Sequence, residues 1–340
     1  MIFLRLFKNS RAGGIIGLVI LAVALFLISF LERASGINGP GGGLREFTAM
    51  PFYDLMFGPL QQKPVWNRIV SIFLLLISTY ILIRVSATYG LIEFRSVMPA
   101  YFFLLFTAAL PSTHQVSPAM LGFIFYLLSF YILFGVSDKK PDTFTVFNAG
   151  LVLALGGLFY LKLIWFLPLI WISIWTLRPA TGREMLYPVV AFFLLGLFLF
   201  AWYWGGMDDA EKFVTLVREN LSFRMEARKV HYSAYLYYGF FLVLIIAASL
   251  YMIYRFQARK TVIQNIYQVM FYMFVAGLLF FVLIARFDST TLIFIAFPVA
   301  FILSNYFHRR NNPWTHELAL WILFSLLVFM QYSLSLSPSR

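Results

Sequence analysis

Long apolar runs, separated by short polar or basic breaks, occupy almost the whole chain; residues 15–31 and 185–204 are two clear examples. A helix needs about 20 mostly apolar residues to cross roughly 30 Å of hydrocarbon. Every backbone polar group at that depth must be satisfied within its own segment, which excludes open strands. The pattern therefore predicts an all-α protein, a polytopic bundle of transmembrane helices.

We expect about 11 spans, placed at residues 15–31, 68–86, 98–110, 118–136, 143–159, 161–177, 185–204, 235–254, 266–285, 290–306 and 315–334. The third span is short, which favours a tilted, kinked or buried helix. The fifth and sixth spans are almost continuous and predict a tight helical hairpin. Gly150, Gly156 and Gly157 in the fifth span favour close packing between helices.

Basic residues in the short connections predict the orientation, because cytoplasmic loops carry an excess of lysine and arginine. With the N-terminus inside, the inner side collects Arg5, Lys8, Arg11, Arg95, Lys139, Lys140, Arg178, Arg183, Arg255, Arg259, Lys260, Arg309 and Arg310. The two long connections, 32–67 and 205–234, then lie outside, and the C-terminus is outside. The first apolar run lacks a small-residue cleavage site, so we expect it to stay as a span.

The amino-acid composition indicates that the protein has no separate soluble domain. The chain is 61% hydrophobic and only 12% charged, whereas soluble domains are nearer 25% charged. We therefore expect a single integral membrane domain over residues 1–340. The net charge of +12 suits anionic lipid headgroups. Membrane lipids are the expected partners, nucleic acid is not, and the sequence identifies no cofactor.

The two outer loops each contain a segment that suits the membrane surface. Residues 44–60 mix apolar and charged side chains, as in a segment that lies in the interface. In the second loop, Phe213, Leu216, Val217 and Leu221 recur at helical spacing after an acidic start. This spacing predicts an amphipathic helix.

Carboxylates and cations in these loops are the candidate chemistry. Transfer of a lipid-linked sugar needs a carboxylate that takes a proton from the acceptor or holds a metal. It also needs cations that stabilise the leaving phosphate. Glu32 and Asp54 are the candidate catalytic residues. The candidate phosphate or lipid-headgroup ligands are Arg218, Arg224, Arg228 and Lys229. Ordinary solvated loop charge is the plainer interpretation of the same residues.

The histidines argue against a metal site. His114 and His231 fall outside the membrane in the predicted orientation, whereas His308 and His316 fall inside. An iron site in the membrane would need several histidines at similar depth, so we expect no metal. Arg286 and Asp288 flank a short outer turn, where they could pair with each other or line the mouth of a cavity.

Short motifs along the chain point to a family. They are Met98-Pro99-Ala100, Val116-Ser117-Pro118, Phe147-Asn148-Ala149-Gly150, Leu177-Arg178-Pro179 and Gly182-Arg183-Glu184. Through them the chain resembles uncharacterised Bacteroidota inner-membrane proteins that are sometimes named carotene mono-oxygenase-like. The resemblance implies a multi-span protein of the inner membrane. The histidine positions argue against the iron site that the inherited name suggests.

In architecture the chain is also similar to membrane glycosyltransferases and polysaccharide polymerases that use polyprenyl-phosphate donors. Those enzymes share many spans, an acidic residue after the first span and basic residues near the outer leaflet. The resemblance implies outer-leaflet processing of a polyprenyl-phosphate-linked cell-envelope precursor, by glycosyl transfer or polymerisation. The alternative is non-enzymatic: a transporter, with a central polar cavity, or an accessory subunit of an envelope complex, with an exposed apolar groove.

Overall fold

A computed structural model describes residues 14, 16–23, 50–92, 96–137, 143–179, 181–206, 210–221, 232–254, 261–309 and 313–336. The described residues are 91% helical and contain no strand. The all-α prediction is therefore confirmed. Helices satisfy their backbone polar groups internally, which is what a chain this apolar requires.

The helices follow one another with short connections. They are α1 (Pro51–Gln61), α2 (Pro64–Tyr89), α3 (Met98–Ala108), α4 (Pro118–Phe134), α5 (Thr143–Gly157), α6 (Leu167–Leu177), α7 (Gly182–Ala201), α8 (Ala210–Leu221), α9 (Tyr232–Tyr254), α10 (Thr261–Leu279), α11 (Ile293–Arg309) and α12 (Pro313–Leu336). Among the described residues, four 3-10 segments lie between some of them: Pro111–His114, Gly135–Ser137, Leu161–Phe166 and Ser289–Leu292.

Within the described part of the chain, seven helices are long and apolar enough to cross a membrane: α2, α4, α7, α9, α10, α11 and α12. Three shorter apolar helices lie over Met98–Ala108, Phe144–Gly157 and Leu161–Leu177. Residues 16–23, inside the first predicted span, are helical as well. The chain is therefore a multi-pass membrane protein, and the number of about 11 spans stays a prediction.

Helix α11 is the centre of the bundle, since 94% of its most apolar stretch is buried. It packs against α3, α9 and α10. Every residue of α3 is buried, because this helix is apolar on all sides and has no face suited to water or headgroups. The short third span is thus a fully enclosed helix beside α11.

The short connection of the predicted hairpin is present, since α5 ends at Gly157 and the 3-10 segment that leads into α6 starts at Leu161 and packs against α5. Two glycines allow α5 to pack closely on its neighbours. A Cβ atom added at Gly150 would lie 2.6 Å from Cα of Pro188 in α7, and one at Gly156 would lie 2.7 Å from Cβ of Phe125 in α4. Both distances are too short for a methyl group, so helix contact here depends on glycine.

Helix α1 and several interhelical turns gather at one end of the bundle, which we call the α1 end. The Tyr53 hydroxyl of α1 donates to the Val116 carbonyl at 2.7 Å, and the rings of Phe52 and Phe159 are 6.4 Å apart. At the other end of α2, about 39 Å away for a helix of its length, the Tyr89 hydroxyl donates to the Tyr131 carbonyl. In the predicted orientation the α1 end faces outward.

Candidate functional site

Helix α1 presents Asp54 at the α1 end. Its neighbour Tyr53 is 2% exposed and stacks on Phe57 at 5.8 Å, so these two side chains anchor the helix to the bundle. Asp54 lies on the exposed side. Desolvation by the surrounding chain raises the pKa of the Asp54 carboxyl above its ordinary value. This carboxyl is therefore reachable and titrates closer to neutrality than a free one.

Helix α8 presents Arg218 at the same end. Its apolar side chains, Phe213 and Leu216, face the bundle, and the ring of Phe213 lies 5.6 Å from that of Phe200. Arg218 is exposed and lies in the last turn, where the helix dipole favours a cation. The predicted amphipathic helix of the second loop is confirmed.

One apolar cluster holds both surface helices. Its members are Met50, Phe52, Leu155, Leu158, Phe159, Leu161, Leu195, Leu199, Phe213 and Leu216. They come from the start of α1, the α5 hairpin, α7 and α8. The structure thus brings the elements that carry Asp54 and Arg218 onto the same corner of the bundle. Glu32, Arg224, Arg228 and Lys229 lie outside the described residues, so their part in this site stays a prediction.

A second group of polar residues lies at the α1 end, around the start of α11, and we call it the α11 rim: Arg68, His114, Tyr160 and Asp288. Several hydrogen bonds hold the rim in place near His114. The Val116 amide donates to Oδ1 of Asn67 at 2.7 Å, and the Ser71 hydroxyl donates to the Thr113 carbonyl. The turn before α4 is therefore clamped to α2.

His114 is a neutral ring at the rim. Its Nε2 lies 3.1 Å from the Ala108 carbonyl oxygen; because a carbonyl only accepts, this nitrogen carries the proton. Burial lowers the pKa of His114 to about 4, a net value that includes an opposing effect of the hydrogen bond to Ala108 and a smaller lowering by the nearby Arg68 cation. The ring is therefore uncharged at neutral pH.

Asp288 organises the turn that leads into α11. Its Oδ1 accepts from the Thr290 amide at 2.9 Å and its Oδ2 from the Thr290 hydroxyl at 2.7 Å. Just before it, Arg286 and Phe287 have φ of 46° and 68°, a left-handed conformation that is unusual for residues other than glycine. The Asp288 carboxylate thus caps the following turn.

Tyr160 also belongs to the rim. From the sequence alone, this residue is recognisable only as part of the short connection between the fifth and sixth spans. Its side chain is 6% exposed, and its ring stacks on Phe294 of α11 with centroids 6.0 Å apart. Its hydroxyl has no hydrogen-bond partner among the described residues. Burial raises the pKa of the Tyr160 phenol well above its ordinary value, and the Asp288 carboxylate raises it further. The phenol is therefore a protonated hydrogen-bond donor.

A metal site would require several histidines close together, but the structure places described histidines at opposite ends of the bundle. His114 lies at the α1 end, whereas Nδ1 of His316 lies 3.2 Å from the Phe307 carbonyl oxygen near the far end of α11. Among the residues that the structure describes, no group of three or more His, Cys, Asp or Glu side chains could hold a metal ion. The absence of a metal site from the whole chain stays a prediction.

The fold defines a polytopic α-helical membrane protein whose described carboxylate and cation candidates, Asp54 and Arg218, lie on two surface helices at the same end of the bundle. The profile of a family of unknown function (DUF6427) matches residues 55–337. The chain belongs to this family, which agrees with the resemblance to uncharacterised membrane proteins. Comparison with curated proteins gave no match, and comparison with solved structures gave none either.

Proposed function

We propose that this protein processes a lipid-linked cell-envelope precursor at the outer leaflet of the bacterial inner membrane, by glycosyl transfer or polymerisation. The observation that carries the proposal is the shared cluster of α1 and α8. Asp54, an exposed carboxyl, and Arg218, an exposed cation, lie on two surface helices that pack on this one cluster, at the end that the sequence predicts to be outside.

Asp54 and Arg218 match the two chemical requirements of such a reaction, a group that accepts a proton and a cation that binds the phosphate. A carboxyl whose pKa is raised toward neutrality exchanges protons more readily at working pH, so Asp54 is suited to take a proton from an acceptor hydroxyl. Arg218 is suited to the phosphate of a polyprenyl carrier, because guanidinium groups bind phosphate in a forked geometry. In the proposed site, Glu32, Arg224, Arg228 and Lys229 supplement these two groups.

The centre of the bundle favours a surface reaction over transport. A transporter places its substrate near the middle of the membrane, between helices. Here the rings of Tyr126, Phe166, Phe280 and Phe294 contact one another around the first turn of α11, with centroids 4.8–5.8 Å apart. Farther along α11, Phe297, Phe301 and Leu303 are fully buried as well, so apolar side chains also pack along the middle of this helix.

Lipids that purify with the protein test this proposal. We expect mass spectrometry to detect a polyprenyl-phosphate-linked lipid bound to the wild-type chain. Arg218→Gln should reduce its retention about fivefold, since one basic residue near an anionic surface contributes about 1 kcal/mol. Asp54→Asn should retain the lipid and lose the transfer reaction.

Arg183→Gln is the matched control, because Arg183 is also an exposed arginine but lies at the opposite end of the bundle. It should leave lipid retention unchanged. Equal retention by the wild type and Arg218→Gln would return Arg218 to the role of an ordinary solvated charge. A purified protein that carries only bulk phospholipid would count against the proposed substrate.

A further inference from the structure

The outward side of α2 carries an arginine at the end of an apolar stripe. Four large apolar side chains along this side are exposed: Trp66, Ile69, Phe73 and Tyr80. Arg84 is exposed too and lies on the same side, because residues four apart on a helix are neighbours. Since α2 is long and apolar enough to cross a membrane, this stripe is a lipid-facing surface that ends in a cation.

Arg84 lies close to the boundary of the hydrocarbon that is farther from α1. Trp66 is in the first turn of α2, at the α1 end, and tryptophan favours the interface between membrane and water. From Trp66 to Arg84 the helix advances about 27 Å, whereas the hydrocarbon is about 30 Å thick. The backbone of Arg84 is therefore just inside the hydrocarbon in an upright helix, and deeper in a tilted one.

The guanidinium group of Arg84 points back toward the middle of the membrane. Its Cζ atom lies 5.8 Å from the centroid of the Tyr80 ring, which is one turn nearer to the α1 end. Helical side chains lean toward the N-terminus of their helix, so this arginine does not extend easily to the nearer water boundary. Among the residues that the structure describes, Arg84 makes no ion pair. A cation at this depth is costly unless it meets an anion.

Two hydroxyl groups lie one turn beyond Arg84, on the side nearer to water. Thr88 is exposed, and its Oγ1 lies 3.4 Å from the hydroxyl oxygen of Tyr131 in α4. Tyr131 is held by Tyr89, whose hydroxyl donates to the Tyr131 carbonyl at 2.7 Å and whose ring meets that of Tyr131 edge to face at 5.9 Å. Helices α2 and α4 thus fix a pair of surface hydroxyls about 6 Å past Arg84 along the helix axis.

An anionic phospholipid carries its own groups in the same order. Its acyl chains lie in the hydrocarbon, its phosphate lies at the boundary, and the rest of its headgroup lies nearer to water. Along α2 the apolar stripe, the cation and the two hydroxyls follow one another in that direction. Guanidinium groups bind phosphate in a forked geometry. Hydroxyl groups both donate and accept hydrogen bonds, which suits a headgroup that contains hydroxyls itself.

We propose that this side of α2 binds an anionic phospholipid with a hydroxylated headgroup, such as phosphatidylglycerol. Arg84 binds the phosphate, and Thr88 and Tyr131 bind the hydroxyls of the headgroup. The site does not depend on the proposed function, because it lies at the opposite end of the bundle from Asp54 and Arg218. In the predicted orientation, its ligand is a lipid of the cytoplasmic leaflet.

Retention of lipids by the full-length protein tests this site. The protein is placed in phosphatidylcholine nanodiscs that contain a minor fraction of phosphatidylglycerol or of phosphatidic acid, and native mass spectrometry counts the lipids that stay bound after release into mild detergent. We expect the wild type to retain phosphatidylglycerol in preference to phosphatidylcholine. Arg84→Gln should reduce retention of both anionic lipids about tenfold, because a hydrogen-bonded charge is lost.

Further variants separate the cation from the hydroxyls. Arg84→Lys keeps the charge without the fork, so it should lose only about threefold in retention of phosphatidylglycerol. The double variant Thr88→Val, Tyr131→Phe should lose about fivefold for phosphatidylglycerol and nothing for phosphatidic acid, which has no headgroup hydroxyls. Arg183→Gln is the matched control, since Arg183 is an exposed arginine at the same end of the bundle, in the first turn of α7. It removes the same charge and should leave retention unchanged.

Three results would overturn the proposal. Equal retention of phosphatidylglycerol by the wild type and Arg84→Gln would show that a carboxylate of the protein neutralises Arg84 instead. An equal loss in Arg84→Gln and Arg183→Gln would show that retention follows net charge and not a site. Displacement of the bound lipid by soluble glycerol phosphate would show that the site takes a free anion and not a membrane lipid.

Discussion

At the scale of single residues, His114 couples the fold to pH. Its ordinary pKa is 6.5 and burial lowers it to about 4 in the folded protein. Between these values the unfolded chain binds the proton and the folded chain does not, so stability falls as the pH drops through this window. The contribution is complete above pH 6.5, and its loss amounts to about 3 kcal/mol by pH 4.

We therefore expect His114→Gln to be less sensitive to acid than the wild type. The glutamine Nε2 replaces the imidazole donor to the Ala108 carbonyl but carries no titrating proton. Thermal unfolding in detergent, followed between pH 7 and 4, measures the difference. The Tm of the wild type should fall more steeply than that of the variant as the pH drops from 7 to 4; an equal fall in both proteins would show that His114 does not titrate as its burial requires.

The role of a single residue could be predicted from the sequence only where that role depends on residues close by in the chain. Asp288 before Ser289 and Thr290 is a typical N-cap pattern, and Asp54 could be recognised as a carboxylate at a membrane edge. Tyr160 could not be recognised, because its environment is formed by Phe294 and Asp288, far along the chain. A buried hydroxyl without a partner is a property of the tertiary fold and leaves no local pattern.

At the scale of elements, the contact between α5 and α7 depends on Gly150. A Cβ at this position would meet the backbone of Pro188 at 2.6 Å, and backbone cannot move aside as a flexible side chain can. Gly150→Ala should therefore push the helices apart and lower stability by about 1–3 kcal/mol.

Gly196→Ala is the matched control, since Gly196 is a glycine of α7 with no atom within 4 Å of an added Cβ. Alanine has the better helix propensity, by up to about 1 kcal/mol, so this variant should be neutral or slightly more stable. Thermal unfolding by circular dichroism compares the pair. A Gly150→Ala protein as stable as Gly196→Ala would refute the close packing of α5 and α7.

Hydropathy predicted the elements well, because each span must carry its own apolar residues. The fourth span was predicted at 118–136, and α4 covers Pro118–Phe134. The burial of α3 inside the bundle could not be predicted in this way. The same apolar residues suit a helix that faces lipid and a helix that faces protein. The 3-10 turns that build the α11 rim have no periodic pattern, and their position depends on hydrogen bonds to α2 and on packing between distant segments.

At the scale of the whole molecule, we expect the α1 end to face the outside of the membrane. The described structure joins α1, α8 and the α11 rim at that end, and the short basic connections predict that the other end is cytoplasmic. The proposed function requires this orientation, because the sugar and phosphate groups of the lipid-linked precursor lie at the outer leaflet.

Site-directed labelling tests the orientation directly, and the chain contains no cysteine that would interfere. Gln62, at the end of α1, and Thr261, at the start of α10, are both exposed and lie at opposite ends of the bundle. In intact spheroplasts, a membrane-impermeant maleimide should label Gln62→Cys and should label Thr261→Cys only after permeabilisation. Labelling of Thr261→Cys alone in intact spheroplasts would place the α1 end inside and contradict the account.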